Sequence, residues 1–324
     1  MKKQRVIIWG FYPENGVLKN TISYVWNSFS DAFIHLGYDV YWFPNEEVDN
    51  FDFTDCIFIA EGHDDSEIPL EKTSTYFVHC AWNPKKYIGN VARFIDIRHA
   101  LKYTNQKNYI FELDKEKTKM DPGVYYEPST NQVINLKNGY VDYMVEDFDK
   151  IYMSWATDLL PDQINENDVY HPRGDSIYFL GSLSTDGEFE NVSLLKEFGD
   201  ECQENGVKFQ INNFYQNQIS NEDHIKLYKE SILGFDLRCK INIDWGYVPC
   251  RVFKTMSYGH LGLTNCPETL VELEGHVKYS PTPAGVFHEG MKHKGDYKFI
   301  KDGLHYIKDY HTYINRAKSL LKVL

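Results

Sequence analysis

The first eighty residues alternate between two hydrophobic patterns. Arg5-Val6-Ile7-Ile8-Trp9 is a short continuous apolar run closed by Gly10, the pattern of a buried strand that ends in a loop. From Asn20 onward, Ile22, Val25, Phe29, Phe33 and Leu36 recur at three- and four-residue steps. This places them on one face of a helix that Gly37 is positioned to cap. Further apolar runs at 40–43, 56–60 and 76–78 are bounded by polar turns. Runs that are apolar throughout predict strands covered on both faces, as in a parallel sheet between helix layers. Segments 124–126 and 132–136 flank Pro128-Ser129-Thr130-Asn131 and predict a hairpin ahead of a strand at 151–153.

Residues 158–173 are acidic, bounded by prolines and without periodicity, which predicts a linker. The pattern then restarts with a strand at 176–180 ending in Gly181-Ser182, a helix running to Asn205-Gly206 and a strand at 207–211. Ser220 with Asp223 three residues later predicts a capped helix whose apolar face is Ile225, Tyr228 and Ile232, followed by a third strand at 235–237. From 297 to 324, Ile300, Leu304, Ile307, Tyr310, Ile314 and Leu321 keep helical spacing and predict one or two closing helices. The expected fold is α/β: two Rossmann-like doubly wound domains over 1–160 and 174–324, a linker over 161–173, and a ligand cleft between the domains.

Composition narrows the function. At 324 residues two domains are expected, since one domain takes roughly 100–200. With 42% hydrophobic and 25% charged residues, extended disorder is excluded. No run approaches the roughly 20 apolar residues of a membrane span, and the early run 6–9 is too short for a signal-peptide core, so a soluble cytoplasmic protein is expected. Six cysteines without a C-x-x-C pair predict reduced, mostly buried thiols rather than a zinc knuckle or a dithiol centre. A net charge of −13 disfavours extended nucleic acid but permits one small phosphorylated ligand, which needs only a few local donors.

In doubly wound sheets ligands bind at the carboxyl ends of strands, which selects the loops 10–16, 61–65, 79–83, 181–187, 238–249 and 264–268. The loop after Gly10 lacks G-x-G-x-x-G, and no G-x-x-x-x-G-K-[ST] occurs, which disfavours a dinucleotide dehydrogenase or a P-loop enzyme. Gly181-Ser182 ends a strand and exposes backbone N–H groups to a phosphate, with a plain turn glycine as the equal alternative. The segment 246–265 is richer. Pro249 suits the first turn of a helix, Gly259 suits its end, and 261–264 reads as the next strand. Arg251 then lies in a first turn, where the dipole favours acids. It is either a solvated surface arginine or a ligand for phosphate or carboxylate.

This segment resembles the donor-binding segment of two-domain, GT-B type glycosyltransferases. There an arginine, a Phe or Trp and usually a Glu precede a small-residue turn ending in G-x-L-x-[LV]-T-N; Arg251, Phe253, Gly259, Leu261, Leu263, Thr264 and Asn265 match. Phage DNA glucosyltransferases have a similar arginine on the donor diphosphate and a Glu three residues on at the ribose. Lys254 stands at that Glu position here and is expected to face phosphate. Ile8-Trp9-Gly10, His35-Leu36-Gly37-Tyr38-Asp39 and residues 155–161 are similar to a group of glycosyltransferases of large DNA viruses and bacteria.

The resemblance implies a transferase that moves a sugar from a nucleotide-diphosphate sugar to a hydroxyl of a glycan or other acceptor. The N-terminal domain would bind the acceptor, and Gly10, Gly181, Ser182, Arg238, Tyr247, Arg251 and Lys254 would hold the donor. An inverting transferase needs a base at a strand end. His79 stands about where the phage enzymes carry their catalytic Asp, with a structural hydrogen bond as the equal alternative; Glu61-Gly62-His63-Asp64, with His63 as second choice, is the other cluster and would bind acceptor or cap a helix, and a retaining mechanism would need neither. No D-x-D triplet closes a strand, Asp64-Asp65 coming nearest. Neither metal nor cofactor is therefore expected, and helix dipole and basic side chains would stabilise the leaving diphosphate. A sugar-nucleotide epimerase of the same architecture and a non-catalytic nucleotide- or sugar-binding protein are the alternatives.

Overall fold

Apolar runs become sheet where both of their faces are covered, and the N-terminal half shows this directly. The computed structural model describes residues 4–13, 21–80, 83–97, 119–121, 124–127, 149–185, 187–213, 220–244 and 246–324. The chain divides into two compact units, Met1–Asp158 with Tyr313–Leu324, and Leu159–Thr312. In the first, β1 (Arg5–Trp9) leads to α1 (Thr21–His35), β2 (Asp39–Phe43), β3 (Cys56–Glu61), β4 (Thr75–His79), β5 (Val91–Asp96), β6 (Lys119–Asp121), β7 (Val124–Glu127) and β8 (Asp149–Met153). The sheet order is β2-β1-β3-β4-β5-β8-β7-β6. Pairing is parallel from β2 through β8, and antiparallel for β7 on β8 and β6 on β7.

The fold is mixed α/β, and β1, β3 and β4 lie at the positions their apolar runs predict. They are buried almost throughout because each has strands on both sides and side chains packed on both faces. Ile7, Trp9, Phe58, Ala60, Tyr76 and Val78 form part of one core. The expected hairpin is only partly visible, since 132–136 falls outside the described residues; 124–126 does lie in a strand, paired with β8 and β6.

The second unit contains β9 (Ser176–Gly181), α2 (Val192–Glu204), β10 (Lys208–Asn213), α3 (Asn221–Glu230), α4 (Lys240–Asp244), α5 (Cys250–Ser257), β11 (Leu263–Thr264), α6 (Pro267–Glu272), β12 (Lys278–Tyr279), α7 (Pro283–His293) and α8 (Tyr297–Tyr310). Its core gathers Ile177, Phe179, Phe198, Phe235, Phe287 and Leu304, with Phe198 stacked on Phe235 at 4.2 Å. Ser220 caps α3 by accepting the Asp223 N–H at 3.0 Å, as its sequence predicts. The sheet is less regular than expected. β9 pairs with β10 and β11 with β12, both parallel, but 235–237 forms only a single bridge, Asp236 to Thr264. Just upstream, the Ser231 hydroxyl takes the Tyr178 N–H that a strand carbonyl would otherwise accept, and no ladder joins β9 to 235–237.

Two boundary expectations need correction. Residues 161–173 are not a free linker: Ile164 and Val169 are buried in the second unit's core, and Arg173 donates to the carbonyls of Gly259 (2.6 Å), Lys229 (2.6 Å) and Asp168 (3.1 Å). The closing helical stretch is also divided. After α8 the chain breaks at the buried His311, which stacks on Phe253 at 4.9 Å, and α9 (Tyr313–Leu321) belongs to the first unit. There Tyr313 meets Phe29 of α1 edge-on at 4.8 Å. The fully buried Arg316 donates to the carbonyls of Ser154 (2.9 Å) and Trp155 (3.1 Å). Among the described residues no helix is long and apolar enough to cross a membrane. The cysteines are free thiols, with Cys56, Cys202, Cys239 and Cys266 buried.

Gly259 ends α5 as expected, at φ +80° with its N–H on the Met256 carbonyl. A Cβ there would strike the Asp168 backbone carbonyl. Gly259→Ala is therefore expected to destabilise the chain by more than the roughly 1–3 kcal/mol of a forced left-handed residue, read as a lowered denaturant midpoint. An unchanged midpoint would show that 161–173 yields freely.

Candidate functional site

Parallel pairing of β3 with β4 sets Glu61 directly opposite His79 at the carboxyl ends of both strands. Both side chains are buried, and His79 Nδ1–H donates to Glu61 Oε2 at 2.6 Å. The Trp155 ring closes over the imidazole edge-on at 5.0 Å. The other ring nitrogen, Nε2, lies 3.4 Å from Cys80 Sγ. Burial acts to lower the His79 pKa, but the adjoining Cys80 and Glu61 outweigh it and hold the pKa well above 6.5. Among the described residues, Glu61, His79 and Cys80 form the group whose potential metal-donor atoms approach within 4.8 Å of one another.

The other first-unit residues fall differently. His63 is exposed on the turn after β3, whereas His79 is buried. Gly10 does adopt φ +80°, but the space a Cβ would fill is taken by Asp64, whose carboxylate accepts from Phe11 N–H at 2.7 Å and from Asn45 Nδ2 at 3.1 Å. A carboxylate beside Gly10 is the wrong charge for a diphosphate, so Gly10 itself is accounted for by its packing on Asp64. Asp65 is occupied too, by the Tyr87 hydroxyl and the Lys86 ammonium.

In the second unit the site is built around Asp236, which is completely buried. Arg238 grips it with two nitrogens, Nε on Oδ2 at 3.0 Å and Nη2 on Oδ1 at 2.8 Å, and Arg251 Nη1 approaches Oδ1 at 3.4 Å. Burial disfavours the Arg238 charge, but Asp236 more than restores it and raises the pKa. Asn265, one of the matched residues, fixes the Arg238 backbone from both sides: its Oδ1 accepts the Arg238 N–H at 2.7 Å and its Nδ2 donates to the Arg238 carbonyl at 2.9 Å. The Arg238 guanidinium lies 5.2 Å from the Tyr247 ring centre.

Arg251 leaves the first turn of α5, lies over the Phe179 ring at 4.4 Å and donates to the Leu180 carbonyl at 3.3 Å. Its Nε is buried with no hydrogen-bond partner. A Cβ at Gly181 would meet this guanidinium and push it aside, so the missing Cβ leaves room for Arg251 where it crosses β9. Ser182 offers its carbonyl to Asn191 Nδ2 at 3.0 Å, and Asn191 Oδ1 accepts Ser184 N–H at 2.9 Å, which closes the loop after β9. Lys254, one turn along α5, is buried with its ammonium 5.9 Å from the Tyr228 ring centre.

Sequence reasoning missed Asp236 and Asn191. The signal for Asp236 was available: a single carboxylate inside the apolar run Phe235-Asp236-Leu237 can be buried only if it is paired. Asn191 offered no comparable signal. No family model matches the chain and no curated protein sequence matches it, so any functional reading rests on these two constellations.

Proposed function

We propose that the chain is a metal-independent, nucleotide-sugar-dependent glycosyltransferase of the GT-B type, with donor bound by the second unit and acceptor hydroxyl activated by the first. The observation that carries this reading is the convergence of Arg238 and Arg251 on the single buried carboxylate of Asp236. Two cations share one anion, so an excess positive charge remains beside the first turn of α5, whose dipole adds to it. A diphosphate answers that charge with several acceptor oxygens, and guanidinium groups bind phosphate in a defined geometry. The same cations stabilise the negative charge that grows on the departing nucleoside diphosphate. The Glu61–His79 dyad supplies a base: the carboxylate fixes the proton on Nδ1 and leaves Nε2 to take one.

The test is binding. Among UDP, GDP, dTDP and CMP, the cognate nucleotide is expected to raise the melting temperature with concentration. Arg251→Ala is expected to weaken nucleoside-diphosphate binding by about 1.5–3 kcal/mol, as for a hydrogen bond to a charged group, with circular dichroism unchanged. Equal affinity in titration calorimetry would overturn the assignment of Arg251.

A further inference from the structure

The transfer reading leaves Cys80 unused. This residue follows β4 at φ +49°, a left-handed backbone that a residue with a side chain adopts at a cost. The turn brings Sγ to 3.4 Å from Nε2 of the residue before it. Glu61, His79 and Cys80 therefore stand in series: Glu61 Oε2 accepts from Nδ1–H at 2.6 Å, and Nε2 faces the thiol. An orienting carboxylate, an imidazole base and a nucleophile linked in that order are the elements of an activated nucleophile. The carboxylate and imidazole are buried, where charge interactions are strengthened, while Cys80 is only half-buried and can be reached from solvent.

The same three groups could suggest a metal site. Glu61 Oε2 holds Nδ1–H, the ring nitrogen away from the thiol, which makes the carboxylate the orienting partner of the imidazole and leaves Nε2 and Sγ as the donors on the thiol side, where zinc takes three or four from protein.

We propose that Cys80 is a nucleophilic thiolate whose proton is held by His79, and that its substrates are small electrophiles, with hydroperoxides as the natural class. The thiol proton passes from Sγ to Nε2. The thiolate then attacks the terminal oxygen of ROOH: the S–O bond forms, the O–O bond breaks, and the alkoxide leaves as ROH with the proton from Nε2. Cys80 is oxidised to the sulfenic acid and the hydroperoxide is reduced to the alcohol. This chemistry asks for one proton donor at the leaving oxygen, which the imidazolium supplies. The proposal does not depend on sugar transfer, and every measurement below is made without a sugar donor.

The experiment alkylates the reduced full chain with iodoacetamide between pH 5 and 9 and follows the Cys80 peptide by mass spectrometry. The Cys80 rate is expected to reach half its plateau below about pH 7.5, against about 8.5 for an ordinary thiol. At pH 6 it should exceed that of a free small thiol by about tenfold or more. Both His79→Ala and the conservative Glu61→Gln should move the midpoint back towards the ordinary value. With hydrogen peroxide and dimedone, the wild-type chain is expected to carry a dimedone adduct on Cys80 that His79→Ala lacks. A wild-type midpoint at or above about 8.5 would overturn the proposal, as would a low midpoint that neither variant moves. Rapid alkylation with no dimedone adduct would overturn the hydroperoxide assignment. None of these outcomes bears on nucleotide binding at Arg251, so the donor reading and the thiolate fail separately; a Cys80 thiolate would, however, occupy Nε2 with the thiol proton, and the base for transfer would then have to be another group.

Discussion

Replacing His79 with Ala is expected to lower turnover with added acceptor by roughly 10²–10⁴, the usual share of a general base, and to leave nucleoside-diphosphate affinity nearly constant. The donor cluster of Asp236, Arg238 and Arg251 belongs to a different unit, so loss confined to kcat is the signature of a base rather than of donor binding. The pH profile adds a second test. A base must be neutral to accept a proton, and the His79 pKa is held well above 6.5. Activity should therefore rise with pH through a midpoint above 6.5 and be lost below it. Among the described residues, the titratable groups facing the ring are Glu61 on β3 and Cys80. Cys80→Ala removes a group that raises the His79 pKa, and so should shift the midpoint to lower pH and increase activity at pH 6. A histidine that only props up the loop would not move the midpoint in this way. Near-normal turnover in His79→Ala would send the search for a base to Glu61, His63 or Asp64, or to a retaining mechanism that has none.

What could be read from the chain in advance follows from the range of the interactions concerned. β1, α1, β3 and β4 were legible because continuous apolar runs and three-and-four spacing are local patterns. The anchoring of 161–173 was not, because Arg173 reaches Gly259 across 86 positions and nothing in the acidic, proline-bounded stretch announces that partner. The transfer of α9 to the first unit was hidden for a related reason. Apolar spacing runs on through both helices, and only the packing of Tyr313 on Phe29 and of Arg316 on the Ser154 and Trp155 carbonyls assigns α9 to the first unit.

The site divides in the same way. Arg251 and Gly259 could be read from helix-end chemistry alone. The Glu61–His79 pair is fixed by the register of β3 on β4, which depends on topology that local pattern does not determine. Gly181 was legible as a special glycine, and the structure gives it a second reason. The sequence offers it as an amide bared to a phosphate or as a plain turn glycine; the structure adds that its missing Cβ makes room for the Arg251 side chain.

Asp236→Ala is expected to destabilise the chain by about 3–5 kcal/mol, the cost of removing one partner from a buried ion pair. Asp236 is wholly buried, and the Arg238 and Arg251 side chains that meet it are 12% and 16% exposed, so water cannot readily take its place. Without it, two guanidinium groups face each other with no anion between them. The penalty should be partly relieved in the double variant with Arg251→Ala, which removes one of the stranded cations; the sum of the single effects would then exceed the effect of the pair. Asp236→Asn, which keeps the shape and one acceptor oxygen but not the charge, should fall between the wild-type chain and Asp236→Ala. The decisive measurement is rescue. If these arginines form the diphosphate site, the cognate nucleoside diphosphate supplies the missing negative charge, and it should raise the melting temperature of Asp236→Ala by more than it raises that of the wild-type chain. A loss of stability that the nucleotide does not repair would mean that Asp236 serves the fold alone. A loss below about 1 kcal/mol would mean that the two arginines are solvated like surface groups and hold no poised charge.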